Sequence, residues 1–369
     1  MIMKWFKCLV LGLLACALSG CEMVVMNPSG DVALQQSQLI VYSTVLMLIV
    51  IVPVMALTLF FAFKYRASNT NSTYDPEWDH SISLEIVVWS VPLAIIICLA
   101  GLTWVATHRL EPYNPLKRIG ENRPVPEGVK PLVIKAVAMD WKWLFIYPEQ
   151  GIATVNEVAG VVDRPIEFQI TSTTVMNSMY IPALAGQIYA MPGMQTKLNA
   201  VINEVGVFEG FSANYSGEGF SKMRFKFYGL SEKRFENWVA SARNKGQGLD
   251  RAELIKLDKP SIGHPVTYYS SVDKGLWPRI INLCITDDKL CIHDLMVVDA
   301  LGGGGLDGLW NRERCKGLCS AENVWQFMAL LPEDKRKRAD DIIAAFLNRP
   351  VESLRLSKEP KKQSVPPSE

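Results

Sequence analysis

Two stretches of the chain, residues 39–63 and 86–105, contain no charged side chain. Each reaches the ~20 apolar residues that a helix needs to cross a ~30 Å hydrocarbon slab, so both predict membrane spans. Pro53 and Pro92 fall mid-span, where neighbouring helices can re-satisfy the freed carbonyls. A shorter apolar run, 8–18, follows Lys4 and Lys7 and ends in Leu18-Ser19-Gly20-Cys21. It is too short to span and reads as a signal peptide. From 131 to 228 the pattern changes to short β-rich runs at 132–138, 143–147, 166–172, 196–202, 207–213 and 223–228. Phe168 and Ile170 alternate with Glu167, Gln169 and Thr171, and Phe225 and Phe227 with Arg224 and Lys226, as half-buried strands require. Glycines at 186, 193, 206, 210, 217 and 219 mark the turns of a sandwich.

Beyond the strands the period becomes helical. Ser231 is placed to cap a helix carrying Phe235, Trp238, Val239 and Ala242 on one face, and Asp250 with Glu253 forms a capping box before Leu254 and Leu257. Residues 302–305 are a glycine linker, 324–331 and 340–347 predict short amphipathic helices, and 358–369 predicts a disordered end. The fold class expected is a membrane-anchored mixed one: a two-helix transmembrane hairpin, an all-β sandwich and a mostly helical C-terminal extension. Its expected boundaries are a signal peptide 1–20, an external spacer 21–38, spans 39–63 and 84–106 around a loop 64–83, a linker 107–130, the sandwich 131–229, a helical arm 230–260 and an extension 261–369.

Composition narrows the function. Of 369 residues, 38 are Lys or Arg and 37 Asp or Glu, a formal charge of +1, so no field is available to hold a nucleic acid. Charged residues make up 20% of the chain, below the roughly 25% of soluble domains, and mean hydropathy is +0.13, as a lipid-embedded portion requires. Ser19 and Gly20 directly before Cys21 resemble the lipobox of bacterial lipoproteins, which implies a lipidated Cys21 at the outer face of a bacterial inner membrane. The first span then runs inward, the 64–83 loop is cytoplasmic, and everything after His108 is periplasmic. Lys64 and Arg66 obey the positive-inside rule, whereas Arg109, Lys117 and Arg118 run against it. Glu85 lands at the cytoplasmic mouth of the second span, where it can answer the helix dipole or serve as a proton entrance.

Four cysteines, Cys284, Cys291, Cys315 and Cys319, fall on the oxidising side, where two disulfides are expected with three pairings open. A zinc site of the four thiolates, or one recruiting His293, is the alternative. Cys98 lies within the second span and reads as packing.

Three motifs carry a family resemblance: Met139-Asp140-Trp141-Lys142-Trp143-Leu144-Phe145-Ile146-Tyr147-Pro148, Asn177-Ser178-Met179-Tyr180-Ile181-Pro182-Ala183-Leu184, and Val207-Phe208-Glu209-Gly210-Phe211-Ser212. Together they resemble subunit II of the haem-copper terminal oxidases, nearest to the cytochrome bo-type ubiquinol oxidases. The resemblance runs from the lipobox to about Arg243 and fades beyond Pro260. It implies a cupredoxin-like sandwich. In the copper-bearing branch that sandwich holds a dinuclear centre, whose ligands fall here on Asn177, Ser212, Asn214, Ser216, Phe220 and Met223; only the methionine survives. Between Arg109 and Gly263 there is neither Cys nor His, so the thiolate and imidazole that copper relays use are missing. The expectation is a sandwich without a metal, and no cofactor in this chain. The aromatic run Trp141, Trp143, Phe145 and Tyr147 occupies the region where electrons enter in copper-bearing relatives and reads mainly as packing.

The resemblance also places Glu85, with Trp89 and Pro92 in Glu-x-x-x-Trp-x-x-Pro, near the entrance of a proton channel of subunit I. It implies a proton-pumping quinol oxidase complex in which this chain is structural. Subunit I and further membrane subunits are the partners, haem, copper and ubiquinol belong to subunit I, and the bilayer surrounds the spans. Two other readings remain: a cytochrome c oxidase subunit that has lost its copper, and a stand-alone envelope lipoprotein that binds through its sandwich.

Overall fold

The computed structural model describes residues 23–70, 77–286, 291–293, 296, 333 and 337. The signal peptide, Cys21, Cys315, Cys319, the glycine linker, the two late helices and the C-terminal end lie outside the described residues.

Two long helices, α1 (Asp31–Lys64) and α2 (Ile82–Arg109), carry the uncharged runs and pass through Pro53 and Pro92 without ending. Their most apolar windows have mean hydropathies of 2.9 and 2.4 and bury nothing inside the chain. Such helices are stable only against lipid or other membrane segments, and they anchor the protein in the membrane. At 1.5 Å per residue, the 34 residues of α1 span about 51 Å, well beyond a ~30 Å slab. The surplus is at its start, within the segment assigned above to the spacer 21–38. Residues 31–37 are helical because Asp31, Val32, Ala33 and Ser37 are buried against the sandwich.

This junction is tightly built. The backbone N–H groups of Ser29 and Gly30 both donate to the Ala183 carbonyl at 3.0 and 2.9 Å, and Asn203 N–H donates to Ser29 O at 2.8 Å. The Asp31 carboxylate, 2% exposed, accepts from Arg118 Nε at 2.9 Å and Gln35 Nε2 at 2.8 Å. Gly30 cannot be another residue without movement, since a Cβ there would lie 2.5 Å from Val201 O and 2.7 Å from Leu184 O. At the exit of α2, Asn199 donates through its backbone N–H and its side-chain Nδ2 to Pro112 O at 3.1 and 3.0 Å.

The chain then forms a short ribbon, β1 (Arg118–Gly120) with β2 (Arg123–Pro124), and the sandwich. One sheet has seven strands in the order β10 (Thr196–Ala200), β7 (Ile166–Ser172), β3 (Leu132–Met139), β4 (Lys142–Tyr147), β5 (Ile152–Val155), β14 (Thr267–Val272) and β13 (Gln247–Leu249). The other has five: β6 (Glu157–Val161), β12 (Arg224–Leu230), β11 (Gly206–Ser212), β8 (Asn177–Tyr180) and β9 (Ile188–Ala190). Ile134, Trp143, Phe145, Phe168, Phe225 and Phe227 fill the space between them. The opposite face of the larger sheet, with Val137, Leu144 and Ile146, is covered by Leu254 and Leu257 of α4 (Arg251–Asp258) and by Leu276 and Ile280 of α5 (Leu276–Ile281). Burial on both faces explains why β4 reads as a continuous apolar run rather than an alternating one.

The arm differs from the helical segment expected at 230–260. Its helix α3 (Glu232–Lys245) forms, and Asp250 caps α4 by accepting from Glu253 N–H at 2.8 Å. Between these two helices the chain adds β13, and after α4 it adds β14, which pairs parallel with β13 and antiparallel with β5 through Thr267–Val155, Tyr268–Thr154 and Tyr269–Ala153. Polar side chains lock the arm. The fully buried Lys142 ammonium donates to Lys259 O at 2.8 Å and Ser261 Oγ at 2.7 Å. Asn156 accepts from Trp143 N–H at 2.9 Å and donates to His264 O at 2.8 Å. Glu157 accepts from Tyr268 at 2.8 Å, and burial together with this carboxylate holds the Tyr268 phenol protonated well above its ordinary range. A disulfide joins Cys284 to Cys291, which consumes two of the four thiolates that the zinc alternative needs. Cys98 is exposed on α2 rather than packed inside the chain.

Two predictions follow from these contacts. Gly30→Ala is expected to destabilise the junction by about 1–3 kcal/mol, read as a lower melting temperature of the purified chain. Burial, and then Lys142, hold His264 below the ordinary histidine value of 6.5. As pH falls below that value, the unfolded chain binds more protons than the folded one, so stability is lost on acidification. Proteolysis of the arm should therefore speed up between pH 7 and pH 5, and His264→Gln should flatten that rise.

Candidate functional site

The positions where the copper-bearing branch has its ligands come from three pieces of the five-stranded sheet. Asn177 opens β8, Ser212 closes β11, and the loop beyond β11 carries Asn214, Ser216 and Phe220 before Met223 leads into β12. Backbone pairing brings the ends together: Ser212 N–H donates to Met223 O at 3.1 Å and Ala213 N–H to Ser178 O at 2.9 Å. Asn177, Ser212 and Met223 are thereby buried side by side, each at most 4% exposed.

At their centre is one hydrogen bond. Ser212 Oγ donates to Asn177 Oδ1 at 2.7 Å in the space between β8 and β11, and Asn177 Nδ2 donates to Val175 O at 3.3 Å. Asn214 turns away and donates to Met176 O at 3.1 Å. Ser216 Oγ is buried with no hydrogen-bond partner among the described residues, while its carbonyl accepts from Trp141 Nε1 at 3.0 Å. Phe220 packs edge-on against the Tyr215 ring at 5.6 Å between centroids.

Trp141 closes the loop from the other sheet. It sits in the two-residue turn between β3 and β4 at φ 64°, a left-handed conformation that costs a bulky residue about 1–3 kcal/mol. The ring rests on Gly219, where a Cβ would come 2.3 Å from Trp141 Cγ, so glycine is required for this approach. The strained turn thus aims an indole at the loop and holds the Ser216 carbonyl. The Asp140-Trp141 pair carries no glycine that would have announced it. Trp143, Phe145 and Tyr147, by contrast, are wholly buried core residues.

Glu85 lies in the first turn of α2, far along the chain from this loop, and its carboxylate meets His80 Nδ1 at 2.8 Å. Both side chains are 56% exposed, so the pair is open at the end of the helix remote from the sandwich. No motif in the sequence marks His80; its five-residue offset from Glu85 across a helix start is the one signal that points to it. Cys284 and Cys291 are bonded at the far end of the arm, and Cys21, Cys315 and Cys319 lie outside the described residues.

Comparison with known proteins agrees with this architecture. A family described as cytochrome c oxidase subunit II, periplasmic domain, matches residues 150–227, and one described as COX aromatic rich motif matches 243–287. The second match corrects the expectation that resemblance ends near Pro260, since β14 and α5 fall within it. The cytochrome bo(3) ubiquinol oxidase subunit 2 of Pseudomonas aeruginosa is 52% identical over 72% of this chain and 78% of its own length. The chain belongs to the ubiquinol oxidase subunit 2 family. Another member, the cytochrome bo(3) ubiquinol oxidase subunit 2 of Buchnera aphidicola subsp. Schizaphis graminum, is 42% identical over 79% of this chain and 98% of its own length. Quinol oxidase subunit 2 of Bacillus subtilis is 37% identical over 72% and 83%. Among solved structures, the periplasmic domain of subunit II of cytochrome oxidase from Bradyrhizobium japonicum is 26% identical, covering 33% of this chain and 98% of that one, with a TM-score of 0.31.

The donor set of this subunit 2 does not fit a dinuclear copper centre. Copper relays take soft thiolate sulfur and imidazole nitrogen. Ser212 and Ser216 offer hydroxyls, which are hard and protonated at neutral pH; Asn177 and Asn214 offer amides; Phe220 has no lone pair to donate. Among the described residues no group of three His, Cys, Asp or Glu could hold a metal ion. The Ser212–Asn177 bond instead makes the site self-contained. Ser212→Ala leaves the buried Asn177 carbonyl without its donor, and the expected cost is about 1–3 kcal/mol, measured as a shift in chemical or thermal unfolding.

Proposed function

We propose that this chain is the non-catalytic subunit II of a proton-pumping ubiquinol oxidase, the complex that oxidises quinol and reduces oxygen to water in an aerobic respiratory chain. The names of its relatives, ubiquinol oxidase subunits 2, support the substrate class. The observation that carries the mechanism is the Ser212–Asn177 hydrogen bond, which occupies two former ligand positions with atoms unable to relay electrons. A soluble cytochrome must deliver electrons from outside through a wire. Quinol dissolves in the bilayer and meets the haem-bearing subunit there, so the relay is dispensable. Haem, the oxygen-binding copper and the quinol site belong, in this reading, to subunit I.

The chain's own contribution is placement. The sandwich caps the complex on the periplasmic side of a bacterial inner membrane, a lipid on Cys21 adds a second anchor, and α1 and α2 pack against subunit I and its neighbours. At the cytoplasmic end Glu85, 2.8 Å from His80 Nδ1, is the entrance of a proton path into subunit I. A carboxylate there must gain and lose protons at each turnover, which an amide cannot do.

Oxygen uptake by the complex purified from native membranes through a tag on this chain tests the reading. Uptake is expected with ubiquinol and absent with reduced cytochrome c; the reverse preference would overturn it. Glu85→Gln should slow quinol-driven turnover severalfold with haem content unchanged, and unaltered turnover across the pH range would remove Glu85 from the proton path.

A further inference from the structure

The cations that follow the second span have no place in the function so far. Arg109, Lys117 and Arg118 oppose the positive-inside bias, so their position calls for another cause. The structure gathers them. Where the first turns of α1, the end of α2 and the edge of the sandwich meet, a cavity of about 490 Å³ opens, lined by these three with Asp31, Gln36 and Asn199. That volume falls within the roughly 300–1,000 Å³ of ordinary ligand clefts.

Its electrostatics favour an anion. Asp31 accepts from Arg118 Nε and Gln35 Nε2 through Oδ2 alone, its Oδ1 being buried with no hydrogen-bond partner among the described residues, and Glu111, the other carboxylate of the lining, accepts from Asn114 Nδ2 at 3.2 Å. Three cations against two carboxylates leave one positive charge. The Asp31 contact uses only the Nε–H of Arg118, and the remaining guanidinium N–H groups can serve a second acceptor. Arg109 and Lys117 have no ion pair among the described residues, and both are exposed.

Position names the source of that anion. The uncharged runs end at Leu39 and Val105, and the cavity wall begins within a few residues of each, at Gln36 and His108. Trp104, 69% exposed one turn below, with its ring tilted against that of His108 at 4.5 Å between centroids, marks the boundary between hydrocarbon and headgroups. We propose that this cavity seats the phosphodiester of an anionic phospholipid from the leaflet on the sandwich side, its acyl chains lying along the exposed apolar faces of α1 and α2. This rests on the membrane reading of the two helices and is independent of the electron route.

The test uses the intact oxidase, stripped of lipid in detergent and given dioleoyl-phosphatidylglycerol, dioleoyl-phosphatidylcholine or inorganic phosphate, with bound lipid counted by native mass spectrometry. Phosphatidylglycerol should be retained in preference to phosphatidylcholine. The double variant Arg109→Gln, Lys117→Gln, which removes no ion pair of the described fold, should weaken that retention on the order of tenfold or more. Equal retention of the two lipids, or undiminished retention by the variant, would overturn the assignment. Displacement of the lipid by millimolar inorganic phosphate would give the cavity to a free anion and overturn it as well. Haem content and quinol-driven uptake of the same preparation report separately on the functional reading.

Discussion

A membrane helix that begins inside a soluble domain cannot tilt or turn without dragging that domain along. This constraint is set where Gly30 lies against the carbonyls of Val201 and Leu184 and Asp31 is buried beside Arg118. The second helix is tied to the same edge through Asn199 and Pro112. Two tethers, one at the β8–β9 connection, β1 and the residues just after β10 and the other at Asn199 of β10, give the sandwich one orientation over the hairpin. The pair Glu85–His80 then faces away from the sandwich, and the cationic cavity opens beside the tethers. Packing of the spans would not achieve this, because the most apolar windows of α1 and α2 bury nothing inside the chain.

The same rigidity explains why a cupredoxin-like domain persists where its ligands are gone. The fold depends on the aromatic core between the sheets and on the apolar layer beneath α4 and α5, neither of which includes a ligand position other than Met223. Once thiolate and imidazole are lost, the buried backbone around β8 and β11 still needs polar partners. A serine and an asparagine that satisfy each other provide them at little cost. The arm, with Lys142, Asn156 and Glu157 as its polar locks, reinforces the larger sheet from its outer edge. On the function proposed above, a domain built this way serves as a cap and a positioning device.

Much of this was legible in the chain because the signals were local. Uncharged runs predicted both helices, period-2 alternation predicted β7 and β12, and the Asp250–Glu253 spacing predicted the cap of α4. What escaped depended on contacts distant in sequence. Residues 31–37 look like a polar spacer until the sandwich buries them. β14 is a short, mostly polar run whose partner β5 lies more than a hundred residues earlier, and β13 joins only through β14. At the candidate site, the donor chemistry that argues against copper is readable from sequence alone, whereas the Ser212–Asn177 bond and the Trp141 clamp needed the register of β11 against β8 and the strained β3–β4 turn. Nothing periodic announces a left-handed tryptophan.

The central claim is that no electron relay passes through this subunit, and the copper count of the intact complex addresses it most directly. Metal analysis of oxidase purified through a tag on this chain should find copper at the level of one oxygen-reducing site, about one per complex. A count of about three would mean that the positions around Ser212 hold copper after all and would contradict the account.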